Sequence, residues 1–256
     1  MLLFMAGLVA GLVMAVPVGI FLLREKWSTR HLEAIEELSR LTGGLAHEIK
    51  NPLSTVKINL KLISEDLDKN DAKLSRPLRK IAVVQKETDR LEKILDDFLR
   101  YAGRTELQPV TADINELLGD MVDFYMPQAQ SNSITMRFGP SRDKLMCRVD
   151  IVMFKQVLLN LFINAQQAMP TGGELIIRTY PKKNDAVIEI GDTGTGIQPD
   201  RTEKIFDAYY SSKPSGSGLG LATARKIITQ HDGTISVSSE MGKGTLFTIC
   251  LPLLKE

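Results

Sequence analysis

Apolar residues recur at alternating steps of three and four over two long stretches of this 256-residue chain. A repeat of this kind puts the apolar side chains on one stripe of an α-helix, so each stretch predicts a long amphipathic helix. Between them, the polar residues 66–75 predict a turn. The two stretches therefore predict a helical hairpin over residues 38–103. The stripe, which includes one threonine, consists of Leu38, Leu41, Leu45, Ile49, Leu53, Val56, Leu60, Ile63 and Leu67, and then Leu74, Leu78, Ile81, Thr88, Leu91, Leu95 and Phe98.

A single hairpin of this kind cannot bury both of its apolar stripes well. Two hairpins can bury them together, because they form a four-helix bundle around one core. We therefore expect the chain to form a homodimer through residues 38–103. The hairpin should end at Gly103, and residues 104–112, which contain Pro109, are typical of a linker.

The N-terminal residues form a separate apolar segment. No charged side chain occurs in residues 2–23, and a helix that spans a bilayer needs about 20 such residues. We expect a transmembrane helix over residues 1–23 rather than a cleaved signal peptide, because no Lys or Arg precedes the apolar run. Arg24 and Lys26 follow directly, so the positive-inside rule places the rest of the chain in the cytoplasm, after a helical juxtamembrane linker over residues 24–37. If the chain is complete, this arrangement leaves no room for an external sensory domain.

Composition restricts the class of protein. The formal net charge is +1, with 32 basic and 31 acidic residues, which argues against nucleic-acid binding because phosphate backbones select strongly basic surfaces. The two cysteines, Cys147 and Cys250, lie in apolar, strand-like runs rather than in a paired spacing. They are typical of reduced packing residues in the cytosol.

Strand-like and helix-like patterns alternate after the linker. Asp113 and Glu116 have the spacing of a capping box at the start of a helix. A further helix is predicted over residues 151–169, and apolar runs on either side of it predict strands. The mixture indicates an α/β sandwich, so residues 113–256 are expected to form a second domain. The predicted strands are residues 134–138, 145–149, 174–180, 186–190, 234–238 and 245–251.

The segment GGLAHEIKNPL, residues 43–53, places a histidine beside a glutamate inside the first predicted helix. His47 follows the stripe residue Leu45 by two positions, so it should point away from the bundle core into solvent. A nucleophilic histidine needs such exposure and an adjacent proton acceptor, which Glu48 supplies. Pro52 should bend the helix about one turn after the histidine. Taken alone, the pattern fits an ordinary exposed helix histidine better.

Three amide side chains share one side of the helix predicted over residues 151–169. Asn160, Asn164 and Gln167 are separated by steps of four and three, which places them in a narrow stripe. Amide oxygens are suitable ligands for Mg²⁺, whose remaining ligands are usually water and substrate phosphates. The stripe is therefore a candidate metal and nucleotide site, although Asn is also common on solvated helix faces.

Asp192 follows the predicted strand 186–190 and precedes two glycines in the sequence GDTGTGI. A carboxylate at a strand end can accept a hydrogen bond from an exocyclic amine, and Gly194 and Gly196 allow the backbone to approach a flat ring. Adenine would fit such a site. The same D-x-G-x-G pattern also occurs in ordinary turns.

A second glycine-rich segment, SGSGLGLATARKII, places Gly216, Gly218 and Gly220 before a helix predicted to begin near Leu221. Glycine-rich backbone at a helix N-terminus favours phosphate, because its free N–H groups and the helix dipole both attract anions. The segment is not a P-loop, because no Gly-Lys-Ser/Thr follows, and not a Rossmann turn, because no strand leads directly into it.

The order of these segments carries more information than any one of them. A histidine hairpin, an asparagine helix, D-x-G-x-G, the aromatic run KIFDAYYSSK at residues 204–213 and G-x-G-x-G before a helix follow one another. Together they resemble the H, N, G1, F and G2 boxes of the sensor histidine kinases of bacterial two-component systems, over residues 38–252. The sequence NAQQAM is similar to the nitrogen-regulation type of kinase. The resemblance implies a dimerisation hairpin followed by an ATP-binding α/β sandwich of the GHKL type, in a single-pass protein of the bacterial inner membrane.

The resemblance implies a phosphotransfer reaction at the hairpin. His47 would be autophosphorylated from Mg-ATP and would pass the phosphoryl group to an aspartate of a response regulator, with Glu48 as the adjacent general base. Asn51 either matches the position that orients water for dephosphorylation of the regulator or is helix surface before a proline. A different class of function is a regulatory module that uses ATP only to switch a dimeric membrane scaffold, or that acts chiefly as a regulator phosphatase. The intact His47, Glu48, Asn164 and Asp192 favour the kinase.

The resemblance also implies roles for residues of the second domain. Asn164 would be a Mg²⁺ ligand with Asn160 beside it, and Asp192 would bind the adenine amine. The remaining nucleotide-binding residues would be Gly194, Gly196, Lys213, Gly216, Gly218, Leu219 and Gly220.

Two details of this expected site are specific to the present sequence. Gln167 stands where many family members have a basic residue, so Lys213 or Arg201 would replace that contact to the phosphates. The aromatic positions would be filled by Phe206 and by one of the two tyrosines that follow it, Tyr209 and Tyr210.

Overall fold

The computed structural model describes residues 45, 49–63, 75–103, 106–211 and 217–254. The predicted transmembrane helix, the juxtamembrane linker and most of the predicted turn lie outside these residues, as do His47, Glu48, Lys213 and Gly216. Within the described part, none of the helices combines the length and the apolar character needed to cross a membrane. The chain divides into two compact units, Met1–Thr88 and Asp89–Glu256.

The first unit contains the helical hairpin. Its first helix, α1, is described over residues 49–63, and its second helix, α2, spans Ser75–Ala102 and continues into the second unit. The ammonium group of Lys80 donates a 3.3 Å hydrogen bond to the carbonyl oxygen of Leu62, so the start of α2 lies beside the end of α1. The predicted hairpin is confirmed. In the single chain its large apolar side chains remain exposed at Leu53, Ile58, Leu60, Leu62, Leu78, Ile81 and Val83.

The second unit combines the end of α2 with a mixed set of strands and helices. The helices are α3 (Ile114–Ser131), α4 (Ile151–Ala168) and α5 (Gly220–Gln230). Short 3₁₀ turns occur at Pro199–Arg201 and Lys204–Phe206. The strands are β1 (Val110–Asp113), β2 (Ile134–Gly139), β3 (Met146–Val149), β4 (Gly173–Lys182), β5 (Asp185–Asp192), β6 (Thr234–Glu240) and β7 (Gly244–Pro252).

Five of these strands form one sheet in the order β2, β4, β5, β7, β6. The β2 and β4 strands run parallel, and the other neighbours run antiparallel. A separate antiparallel pair joins β1 to β3. The central position of β5 matters for the site, because this strand ends at Asp192 between β4 and β7.

One core fills the space between the five-stranded sheet and helices α3, α4 and α5. In α4, apolar side chains at helical spacing form the buried face, while the amide residues lie on another side. This two-layer arrangement confirms the predicted α/β sandwich. The buried face of α4 consists of Phe154, Val157, Leu158, Leu161, Phe162 and Ala165.

Both cysteines are free thiols. Cys147 is buried in the core, and burial, followed by the nearby carboxylates of Asp113 and Asp185, raises its pKa to about 12. A thiol with so high a pKa is almost entirely protonated at neutral pH and is a poor nucleophile. The structure therefore agrees with a packing role for Cys147.

The structure follows the predicted elements closely, with one addition. Each predicted strand of the second domain is present, and α3 begins after Asp113, whose carboxylate accepts a hydrogen bond from the backbone N–H of Asn115. The addition is β1, because residues 110–112, which lie in the predicted linker, pair with β3. In this four-residue strand burial does not follow polarity, because Val110 is exposed and Asp113 is buried, so the pattern of the sequence does not predict the strand.

Candidate nucleotide-binding site

The site begins at the end of β5, where Asp192 is only 9% exposed. The backbone N–H of Gly194 donates a 2.8 Å hydrogen bond to the Oδ1 atom of Asp192. This short turn fixes the direction of the carboxylate at the C-terminal end of β5. The carboxyl group faces a cavity, so it is placed to accept a hydrogen bond from a bound molecule.

The loop after Asp192 is held by the backbone of neighbouring elements. Gly196 has a φ of +71°, and a Cβ atom there would lie 2.2 Å from the carbonyl oxygen of Glu240. At Gly194, a Cβ atom would lie 2.6 Å from the carbonyl oxygen of Ala168. Both glycines are therefore required by packing within the protein itself, and of the two only Gly196 lines the cavity.

Helix α4 contributes the amide stripe. Asn160, Asn164 and Gln167 all line the cavity, as their spacing predicts. The Nδ2 atom of Asn160 donates a 3.0 Å hydrogen bond to the carbonyl oxygen of Gly220, so this side chain connects α4 to the second glycine-rich segment. The half-buried side chain of Asn164 makes no hydrogen bond with the residues that the structure describes, and its oxygen is open to a ligand.

The second glycine-rich segment is described from Ser217 onward. Gly218 has a φ of +66°, and a Cβ atom there would lie 2.5 Å from the carbonyl carbon of Tyr209. Leu219 is fully buried, so only its backbone can reach a ligand. Gly220 opens α5, and both Gly218 and Gly220 line the cavity. The predicted arrangement of glycines at a helix N-terminus is therefore present.

The aromatic residues of the run differ in whether they line the cavity or pack against other parts of the domain. Phe206 is buried against Phe247, with ring centroids 6.2 Å apart, and the guanidinium of Arg225 lies 5.4 Å above its ring. Tyr210 lines the cavity, whereas the backbone of Tyr209 packs against Gly218. Of the two tyrosines considered from the sequence, Tyr210 is thus the one at the cavity.

These residues surround a cavity of about 480 Å³. Sites that bind small molecules have volumes of roughly 300 to 1,000 Å³, so this cavity has a volume suitable for a nucleotide. The lining combines apolar side chains with a carboxylate and three amides, which suits a ligand that has both a flat base and charged groups. The apolar wall consists of Leu159, Ile163, Ile197, Ile205, Leu221, Met241 and Phe247.

The cavity also includes residues that the sequence analysis did not predict. Lys93, Asp97 and Arg100 of α2 line it, and Asp97 accepts a 2.7 Å hydrogen bond from the hydroxyl group of Ser217. Their spacing puts them on one face of the helix, but such a charged stripe is equally typical of a solvated face. Arg201, predicted as a substitute phosphate contact, lines the cavity as well.

A buried polar network holds the start of α4. Asp150 caps the helix by accepting a 3.1 Å hydrogen bond from the backbone N–H of Met153, and it accepts another of 2.9 Å from that of Gln108. The backbone N–H of Asp150 donates to the Nε2 atom of His231, whose Nδ1–H donates to the carbonyl oxygen of Ile227. This network connects the linker, α4 and α5. No motif in the sequence predicts it.

Of the predicted hairpin residues His47, Glu48 and Asn51, the structure describes Asn51. Asn51 is exposed on α1 and belongs to the first unit. His47, Glu48, Lys213 and Gly216 lie outside the described residues, so their predicted roles stay predictions.

A two-layer sandwich with an amide-bearing helix, a carboxylate at a strand end and glycines opening a helix defines a nucleotide-binding ATPase domain. Residues 149–255 match the family described as "Histidine kinase-, DNA gyrase B-, and HSP90-like ATPase". Residues 37–106 match the family described as "His Kinase A (phospho-acceptor) domain". The chain belongs to the sensor histidine kinases.

Curated relatives agree with this assignment. The chain is 34% identical to the sensor histidine kinase ZraS of Salmonella typhimurium over 244 residues, which covers 91% of this chain and 52% of ZraS. It is 31% identical to sporulation kinase C of Bacillus subtilis, which covers 88% of this chain and 51% of that kinase. The chain thus spans about half the length of these relatives.

A solved structure resembles both parts of the chain. Histidine kinase ThkA, in complex with response regulator protein TrrA, matches with a TM-score of 0.71 and 26% identity. The match covers 86% of this chain and 64% of that one. The hairpin and the α/β domain therefore occur together in a known histidine kinase.

Proposed function

We propose that this chain is an ATP-dependent protein-histidine kinase that autophosphorylates His47 and transfers the phosphoryl group to an aspartate of a response regulator. The observation that carries the proposal is one cavity lined by Asn164, Asp192, Gly218 and Gly220, in a chain that also contains a phosphoacceptor hairpin. The solved complex of ThkA with a response regulator supports the choice of partner.

The side chains around the cavity suit ATP with Mg²⁺. Asn164, whose side chain lines the cavity, is the residue that would hold Mg²⁺ through its amide oxygen, and the ion would supply positive charge to the phosphates. The Asp192 carboxylate would accept a hydrogen bond from the adenine amine. Backbone N–H groups around Gly218 and Gly220, at the positive end of α5, would bind the phosphates.

At the hairpin, a neutral ring nitrogen of His47 would attack the terminal phosphorus of ATP. An N–P bond forms as the P–O bond to the leaving ADP breaks, and Glu48 accepts the remaining ring proton. An unperturbed histidine has a pKa of about 6.5, so most copies would be neutral at cytoplasmic pH. Asn51 would orient the water that hydrolyses the aspartyl phosphate of the regulator, releasing inorganic phosphate and the free carboxylate. Loss of regulator dephosphorylation in Asn51→Ala would support this role.

We further propose that the chain works as a homodimer anchored in the bacterial inner membrane. The exposed apolar stripes of α1 and α2 support a dimer. The uncharged residues 2–23, followed by Arg24 and Lys26, support a single transmembrane helix with the kinase in the cytoplasm.

The kinase proposal is tested by incubating the chain with Mg²⁺ and ATP labelled at the γ-phosphate. We expect acid-labile, base-stable label on the protein, because phosphohistidine has that stability. The chain contains three histidines, His31, His47 and His231, so the site can be assigned completely. His47→Gln should abolish labelling, whereas the matched control His31→Gln should retain it. Label that persists in His47→Gln would disprove the assignment.

A further inference from the structure

The end of α2 forms one wall of the nucleotide cavity. Lys93, Asp97 and Arg100 are separated by steps of four and three, so they occupy one face of the helix, and all three line the cavity. These residues belong to the same unit as the rest of the cavity, Asp89–Glu256. The wall is therefore part of the site and not a neighbouring surface.

A hydrogen bond fixes this wall beside the second glycine-rich segment. The hydroxyl group of Ser217 donates to the Oδ2 atom of Asp97 at 2.7 Å, and both side chains are partly buried. A hydrogen bond to a charged group is stronger than one between neutral groups. Lys93 and Arg100, one turn on either side of Asp97, are thus held near Gly218, where phosphates are expected.

A second contact holds the same end of α2 against α5. The ammonium group of Lys226 donates a hydrogen bond of 2.5 Å to the carbonyl oxygen of Tyr101 and lies 5.1 Å above the Tyr101 ring. A cation at the C-terminus of a helix interacts favourably with the helix dipole and with the last carbonyl groups. Since α5 begins at Gly220, α2 is attached to the glycine-rich segment and to the helix that follows it.

The acidic and basic side chains around the cavity differ in the contacts that they make with other residues. The carboxylates of Asp97 and Asp192 accept hydrogen bonds from Ser217 and Gly194. Lys93 and Arg100 are exposed to solvent and make no ion pair with any residue that the structure describes. An excess of uncompensated positive charge on one wall suits a multiply charged anion.

We propose that Lys93 and Arg100 bind the phosphates of the nucleotide, so that the second helix of the phosphoacceptor hairpin forms part of the ATP site. This inference rests on the proposed function, since it takes the cavity to bind ATP. Arginine binds phosphate oxygens through two parallel N–H groups, and lysine binds them as a point charge. Arg201 lines the same cavity and is a third cationic side chain there.

The proposal makes the affinity depend on the number of phosphates. Removing two partly solvated cations should weaken binding of ATP by roughly tenfold, because exposed charge pairs each contribute only modestly to affinity. Binding of adenosine, which has no phosphate, should be unchanged.

The experiment measures dissociation constants of ATP and adenosine by calorimetry on the full chain in detergent. The variant is Lys93→Gln/Arg100→Gln, and the matched control is Lys86→Gln, an exposed lysine of α2 that does not line the cavity. Arg100→Lys keeps the charge and should retain most of the ATP affinity.

An unchanged ATP affinity in the double variant, or an equal loss for ATP and adenosine, would overturn the inference. Failure of the proposed function is distinguishable, because in that case the wild-type chain would not become labelled at His47. Thermal unfolding of each variant, followed by circular dichroism, establishes that affinities are compared between folded proteins.

Discussion

At the scale of single residues, the two asparagines of the amide stripe perform different tasks. Asn160 is committed to the protein through its hydrogen bond to the carbonyl oxygen of Gly220, which sets the distance between α4 and the glycine-rich segment. Asn164, one turn later, faces the same cavity with an uncommitted amide within the described part of the chain. Asn160 thus shapes the site, whereas the side chain of Asn164 is available to bind a ligand.

Gly218 and Gly220 allow a matched test of the glycine-rich segment. Gly218 has a φ of +66° and no space for a Cβ atom, which would lie 2.5 Å from the backbone of Tyr209. We expect Gly218→Ala to lower the free energy of unfolding by about 1 to 3 kcal/mol, because it combines an unfavourable backbone conformation with a steric clash. The measurement is urea-induced unfolding followed by circular dichroism.

Gly220→Ala is the control. A Cβ atom at Gly220 would have its nearest neighbour, Asn160, at 3.8 Å, which is ordinary van der Waals contact. Since Gly220 is the first residue of α5, alanine should leave stability unchanged or raise it by about 0.5 kcal/mol. Equal destabilisation by both substitutions would contradict the packing argument.

At the scale of elements, the helix that carries the amides is positioned from its N-terminus. The Asp150 carboxylate caps α4 and also binds the backbone N–H of Gln108, while His231 at the end of α5 accepts a hydrogen bond from the backbone N–H of Asp150. Three chain segments therefore meet at Asp150, through its carboxylate and its backbone N–H. A change at Asp150 should be transmitted along α4 towards Asn160 and Asn164.

This cap makes stability depend on pH in acid. Burial raises the pKa of Asp150, but hydrogen bonds from the backbone N–H groups of Gln108, Met153 and Val152 outweigh burial and hold that pKa below the ordinary value of an aspartate. The stabilisation is therefore complete above about pH 4 and is lost as the pH falls through the lower pKa of the folded state. We expect Asp150→Asn to cost about 1 kcal/mol at neutral pH.

The same variant should show a smaller loss of stability between about pH 5 and about pH 2 than the wild type does. The free energy of unfolding, measured in urea at a series of pH values, checks this difference in slope. Asp120→Asn is the control, because this carboxylate is exposed and lies 3.5 Å from the ammonium group of Lys155. A similar change of slope in both variants would argue against the special role of the cap.

At the scale of the whole molecule, the sequence predicted the order of the parts better than the contacts between them. Regular apolar spacing identified the strands and helices, because burial of one face leaves a periodic signal in the sequence. The cavity wall formed by Lys93, Asp97 and Arg100 left no such signal, because a charged stripe of this spacing also suits solvent. Likewise, the pairing of β1 with β3 and the hydrogen bond between Asp150 and His231 depend on residues that are distant in the chain.

Substitutions in the hairpin test the predicted homodimer. On α1, Leu53 and Leu60 belong to the predicted stripe and are 54% and 53% exposed in the single chain. If a second hairpin covers them, charged substitutions there should dissociate the dimer, because burying unpaired carboxylates in an apolar core costs several kcal/mol. We expect the wild-type chain in detergent to have a protein mass near twice 28.4 kDa by light scattering. Leu53→Glu/Leu60→Glu should have the monomer mass.

The control for this experiment has the same spacing on the same helix. Lys50 and Lys57 are exposed and lie outside the stripe, so Lys50→Glu/Lys57→Glu should remain dimeric. ATP affinity should be equal in the two double variants and in the wild type, because the residues that line the cavity and those that form the core all belong to Asp89–Glu256. A wild-type chain of monomer mass, or a dimer that survives Leu53→Glu/Leu60→Glu, would show that the exposed stripe is not the dimer interface.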